Sequence, residues 1–149
     1  MTPSPLIVTP EGRPRALQVA GIGITVLASG EHTGGCEFFH SAGPEGVGPG
    51  PHQHPWDESF YVIKGDLTVG IGDAQSVAGP GTLVHVPGGV MHWYKFGAGG
   101  VEMLSTTSHA GAAAMYTEFD REGSWDNPDR AKLVALAAKH GQVVAPTTD

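Results

Sequence analysis

Two histidines one residue apart, His52 and His54, constrain the fold of this 149-residue chain more than any other feature. They sit in the run from Gly46 to Gly65, Gly-Val-Gly-Pro-Gly-Pro-His-Gln-His-Pro-Trp-Asp-Glu-Ser-Phe-Tyr-Val-Ile-Lys-Gly. Side chains two apart share a face of a β-strand, whereas in a helix they do not face each other. His-x-His among Gly and Pro therefore reads as a strand that aims two imidazoles at one point. Pro55 lacks an N–H and ends or bends that strand. Side-chain parity is not carried across the bend, so Glu58 opens the next strand, close enough in sequence to return to the same point.

Two imidazoles and a carboxylate supply three metal ligands. The best candidate for a fourth is His92, in the run Gly-Thr-Leu-Val-His-Val-Pro-Gly-Gly-Val-Met-His that begins at Gly81. The first stretch resembles cupin motif one, matched by Gly46, His52, His54, Glu58 and Gly65. The second resembles cupin motif two, matched by Gly81, Pro87, Gly89 and His92, with Phe96 where the family usually has Asn. Nine fixed positions over two motifs form a specific pattern. The resemblance implies an all-β, double-stranded β-helix (jelly-roll) cupin barrel with a metal held by His52, His54, Glu58 and His92. It also implies a homodimer, because in similar proteins the N-terminal region often crosses to a partner subunit.

The remaining sequence is compatible with that expectation. One domain suits the length. Few charged residues, with 23 Gly and 12 Pro, suit short strands and tight turns rather than a helical bundle. A net charge of −7 without a basic run makes nucleic acid an unfavourable partner. Cys36 is alone, which excludes an internal disulfide and zinc sites built on paired cysteines. No apolar stretch is long enough for a membrane span, and no signal pattern opens the chain, so a cytoplasmic protein is expected. The expected division is an N-terminal tail over residues 1–15, a cupin barrel over 16–109 and a C-terminal helical extension over 110–149.

In chain order, residues 17–28 read as one strand, with Gly21 and Gly23 marking a bulge or close approach. Residues 29–35 read as a turn and 36–41 as a strand. On it Cys36, Phe38 and His40 share one face, and Glu37, Phe39 and Ser41 the other; if the first face looks inward, His40 lines the pocket. Strands are further predicted over 58–64, 67–71, 75–78, 82–86, from His92 onward and over 101–108. On the ligand strands Phe60, Tyr94 and Phe96 share parity with Glu58 and His92, so they would form an apolar, aromatic pocket wall. The C-terminal region changes to helical period. Ala112, Met115, Tyr116 and Phe119 make one stripe; a second helix is capped by Asn127-Pro128, presents Leu133, Leu136, Ala137 and His140, and stops at Gly141. Both stripes read as packing over one end of the barrel, with no chemistry assigned.

Three imidazoles and a carboxylate suit one divalent first-row ion: iron, manganese or nickel by preference, with zinc, cobalt or copper possible, and calcium or magnesium disfavoured. Four protein ligands leave one or two positions open, as a catalytic site requires. Glu58 is also the candidate catalytic base toward a hydroxyl substrate. Lys64 and Lys95 are placed away from the metal, so no cation clamps a carboxylate or phosphate there, and a neutral or phenolic small molecule is expected. The resulting reading is a metal-dependent dioxygenase resembling the small quercetinase-like cupins. The alternatives are a non-oxidative isomerase, cyclase or decarboxylase, or a non-catalytic small-molecule binding protein.

Overall fold

Alternating apolar residues assemble two antiparallel sheets that face each other across a single core. The fold is known from a computed structural model, and residues 2–147 are described. In chain order the strands are β1 (Leu17–Val19), β2 (Ile22–Ala28), β3 (Glu37–Gly43), β4 (His52–Gln53), β5 (Glu58–Lys64), β6 (Leu67–Ile71), β7 (Ala74–Ala78), β8 (Leu83–Val86), β9 (His92–Phe96), β10 (Val101–Thr107) and β11 (Val143–Val144). Helix α1 (Gly30–Thr33) lies between β2 and β3; α2 (Ala112–Glu122) and α3 (Arg130–Lys139) follow β10. One sheet has the order β1-β2-β3-β10-β5-β8, the other β11-β4-β9-β6-β7. This is the jelly roll with two C-terminal helices that the motifs imply.

The core is set by strand parity. Phe60 and Val62 of β5, Val69 of β6, Tyr94 and Phe96 of β9 and Met103 of β10 all point between the sheets and are buried. Each such side chain contributes roughly 1.5–3 kcal/mol by leaving water. The same parity turns Tyr61 and Ile63 outward, where both are exposed.

The sequence reading and the structure differ at several local points. Residues 17–28 form a hairpin rather than one strand. Ala20 (φ 52°) and Gly21 (φ 83°) make a two-residue turn, with Val19 opposite Ile22. Both residues have positive φ, the geometry of the turn that best matches strand twist, and Gly adopts it without steric cost. The bulge lies later, between Val26 and Ala28. Within residues 29–35, expected as a turn, the chain forms the single helical turn α1. The second C-terminal helix starts two residues later than expected: Asp129, not Asn127, caps it by accepting from the Lys132 amide at 3.2 Å. The C-terminal segment also carries β11, which pairs with β4 and places Val144 opposite His52.

The two faces of β3 are reversed from the face that would have put His40 inside. Glu37, Phe39 and Ser41 are buried, while His40 faces out and its Nε2 lies 2.8 Å from Glu102 Oε1. Each face of that strand carries one Phe, so alternation alone could not choose between them. Two contacts fix the choice. Phe39 meets Tyr116 edge-to-face at 5.2 Å. The Glu37 carboxylate accepts the amides of Gly111 (3.1 Å), Ala113 (3.0 Å) and Gly30 (3.0 Å). A carboxylate at these free N–H groups satisfies the start of α2 and its dipole. The other end of α2 is tied to β1: Asp120 accepts from Arg15 at 2.6 Å and from the Gln18 amide at 2.8 Å. Helix α2 is thereby held against the open side of the barrel.

Candidate metal centre

His52, His54, Glu58 and His92 are brought together from both sheets. In the second sheet the single β4–β9 pairing sets His52 directly opposite His92. His54 follows β4 just before Pro55, and Glu58 opens β5 in the first sheet, opposite Val86 and Thr107. All four are buried, and each offers a ligand atom within 4.8 Å of those of the other three. Five residues separate the start of β4 from the start of β5, so the bend at Pro55 lets one short stretch serve both sheets.

The hydrogen bonds decide which ring nitrogens are available. Each Nδ1 faces a backbone carbonyl: His52 that of Gly50 at 2.8 Å, His54 that of Trp56 at 2.9 Å, and His92 that of Val90 at 2.9 Å. A carbonyl can only accept, so each Nδ1 must carry the proton and donate it. That leaves every Nε2 with its lone pair toward the cluster. Yet Nε2 of His54 and of His92 lie 2.8 and 3.2 Å from Glu58 Oε2. Lone pair against carboxylate is repulsive unless a proton or a cation joins them. A divalent ion satisfies all four groups at once, and backbone-oriented imidazoles are the usual support of such ligands. The donor set of three nitrogens and one carboxylate oxygen fits a first-row transition metal.

Without a metal the cluster depends on protons. Burial, reinforced by His92, pulls the His52 imidazole from 6.5 down to about 4. Burial would raise the Glu58 carboxyl, but hydrogen bonds from His54 and His92 outweigh it and hold the group at about 2 instead of 4.5. Burial likewise disfavours the His92 cation, but its bonds to Glu58 and Val90 raise it above 6.5. The signs then follow. Lowered His52 stabilises the fold above 6.5, and this contribution is lost as pH falls toward 4. Lowered Glu58 stabilises above 4.5 and loses that contribution toward 2. Raised His92 opposes, because its contribution is full below 6.5 and lost as pH rises. The expected result for the metal-free protein is a melting temperature that falls between pH 6.5 and 4 and falls further below 4.5. Thermal melts across that range check it; a flat profile contradicts the proton-held cluster.

A cavity of about 60 Å³ opens beside the centre. His52, Glu58 and Tyr94 form its floor, Met115, Tyr116 and Phe119 of α2 its roof, and Gln142 reaches it from the segment after α3. No Arg or Lys is among its lining residues. Of the expected pocket residues, Tyr94 lines the cavity. Phe60 and Phe96 are interior, at ring distances of 5.1 and 5.9 Å from Tyr94, and are not among the residues lining this cavity. His40 lies outside the barrel, as described. His85 pairs with Ser59 Oγ at 2.8 Å on an exposed surface, and His109 lies edge-on to Trp56 at 6.0 Å. A groove of about 630 Å³ between the N-terminal segment and Phe38 contains none of the four clustered residues.

The wall supplied by α2 was not foreseen. In sequence Met115, Tyr116 and Phe119 read as a helical stripe, but a stripe says only that a face is covered, not what lies beneath it. The one hint was Tyr116, since a hydroxyl in an apolar stripe needs a polar neighbour.

Comparison with known proteins agrees with the geometry. The family model for the Cupin domain matches residues 30–107, and the chain belongs to that family. No curated protein matches the chain. Among solved structures, KdgF from Halomonas sp. superposes with a TM-score of 0.65 at 19% identity, over 71% of this chain and 94% of that one. An RmlC-like cupin from Shewanella frigidimarina gives 0.65 at 20% identity, over 74% and 96%. Oxalate decarboxylase from Bacillus subtilis gives 0.59 at 18% identity, over 72% of this chain but 31% of that one. These likenesses concern the fold. No helix among the described residues is long and apolar enough to cross a membrane.

Proposed function

We propose that this cupin is a metal-dependent enzyme, and specifically a dioxygenase acting on a neutral or phenolic small molecule at the cluster of His52, His54, Glu58 and His92. One observation carries the reading: three buried imidazoles, each with Nδ1 committed to a backbone carbonyl, turn Nε2 toward one buried carboxylate. Iron, manganese or nickel is the favoured ion, with zinc, cobalt or copper also compatible with the ligands. Such an ion, when bound, supplies Lewis acidity and, for redox-active metals, a route for electrons to dioxygen. The chain's own residues do the rest. The imidazoles fix the ion's position, and the lack of a lining Lys or Arg favours an uncharged substrate. Glu58 accepts the proton of the substrate hydroxyl, which its buried position beside the cavity allows.

A second reading, a non-oxidative isomerase, cyclase or decarboxylase, is supported by the likeness to a decarboxylase with Mn(II) centres. Dioxygen consumption by the iron- or manganese-loaded protein during turnover of a small hydroxy compound separates them. Uptake in step with product supports the dioxygenase; turnover without uptake moves the assignment to the second reading. Glu58→Gln is expected to retain measurable metal while lowering turnover by about 10²–10⁴-fold, the range for loss of a general base. Retained metal with full turnover would remove Glu58 from that role.

A further inference from the structure

The roof of the cavity restricts what can reach the centre. Pockets for drug-sized ligands run to roughly 300–1,000 Å³, against about 60 Å³ here. Met115, Tyr116 and Phe119 of α2 share the lining with Val19, Ile22 and Ile24 of the β1–β2 hairpin and with His52 and Glu58. This helix is fastened at both ends, by Glu37 at its start and by the pairing of Asp120 with Arg15. The wall is therefore a built part of the fold.

Tyr116 is the polar element of that wall. Its ring is positioned edge-on against Phe39. Burial and the nearby Glu58 carboxylate keep its phenol protonated far above neutral pH. A neutral phenol donates a hydrogen bond and carries no charge. Among the described residues its hydroxyl makes no hydrogen bond to protein, and the half-buried side chain lines the cavity. Its most useful partner is an oxygen of a guest lying beside the centre.

We infer that Tyr116 is a specificity-determining residue. With Met115 and Phe119 it selects small hydroxy-carbonyl or enol compounds of a few non-hydrogen atoms, donates its O–H to their oxygen, and excludes aromatic and other extended ones. This rests on the metal-centre reading and, of the neutral or phenolic substrates proposed with it, keeps only the neutral, non-aromatic ones.

The test compares two chelators with the same hydroxamate head, acetohydroxamate and benzohydroxamate, titrated into the cobalt(II)-loaded protein and followed by visible absorption. The wild-type protein is expected to bind acetohydroxamate at least about tenfold more tightly than benzohydroxamate. Tyr116→Phe keeps the ring and is expected to weaken acetohydroxamate by about tenfold, the effect of one lost buried hydrogen bond. Phe119→Ala is expected to reduce the discrimination by opening the roof. Equal wild-type affinity for the two chelators, or a Tyr116→Phe protein that binds acetohydroxamate as the wild type does, overturns the inference while leaving the metal centre standing. Failure of cobalt to give any ligand-field absorption overturns the metal-centre reading and the inference together.

Discussion

A divalent first-row metal at a thousandfold excess over its dissociation constant is expected to raise the unfolding temperature by about 10 °C. A ligand that binds only the folded state at that excess stabilises it by about 4 kcal/mol, and near 150 residues each kcal/mol shifts the midpoint by about 2–4 °C. The condition of exclusive binding to the folded state is well met. In the unfolded chain His92 is separated from His52 by thirty-nine intervening positions, whereas in the fold the two are opposite partners across β4 and β9. All four donors are already gathered within 4.8 Å and buried, so little ordering is left to oppose binding. Calorimetric melts with and without nickel, manganese or zinc, and with a chelator added back, measure the effect. His92→Ala should abolish the increment, because it removes a ligand that is fully enclosed. A metal-independent melting curve for the wild-type protein would contradict the assignment of the cluster.

The ligands were legible in the sequence because their geometry is local. His-x-His fixes a shared direction, Pro55 supplies the bend, and Glu58 lies only four residues beyond His54. Only His92 needed the family resemblance to be chosen over the other histidines. The strand faces were legible where one face was clearly more apolar, as on β5 and β9. They were not on β3, where Phe38 and Phe39 balance and the decision lies with Tyr116 and the start of α2, more than seventy residues away in sequence. The hairpin at Ala20–Gly21 was missed because both flanking strands are apolar and the turn carries Ala where Asn or Asp would have been a clear sign. The closing strand β11 is two residues long, too short for any periodicity to register. Closure of the cavity by α2 is the most consequential feature that stayed hidden, because it depends on docking between a helix and a barrel end rather than on any run of neighbouring residues.

That docking passes through Trp56, and its removal is the second large effect expected. Trp56 is 2% exposed. One face of its indole stacks on His54, at 4.6 Å and 13° between planes. Gly111, just before α2, approaches the ring so closely that a Cβ there would lie 2.9 Å from it, and its φ of 147° also favours glycine. Trp56 thus joins a candidate ligand to the helix that roofs the site. Truncating a large buried aromatic to Ala costs about 3–5 kcal/mol, which at about 2–4 °C per kcal/mol lowers the midpoint by roughly 10 °C. The indole Nε1 has no hydrogen-bond partner, so the loss is one of packing. Trp56→Phe, which refills part of the volume and removes an unsatisfied N–H, should recover most of the stability. Metal affinity should respond separately. The backbone carbonyl of Trp56 that holds His54 Nδ1 survives in the Ala variant, but the stacked surface that fixes the ring plane does not. Weakening of about 10–100-fold is expected, the usual consequence of removing a residue that orients a ligand. Calorimetric titration of metal into Trp56→Ala and Trp56→Phe, at a temperature where both are folded, measures this. Unchanged affinity in Trp56→Ala would show that the backbone bond alone orients His54, and that the link from Trp56 to α2 serves stability only.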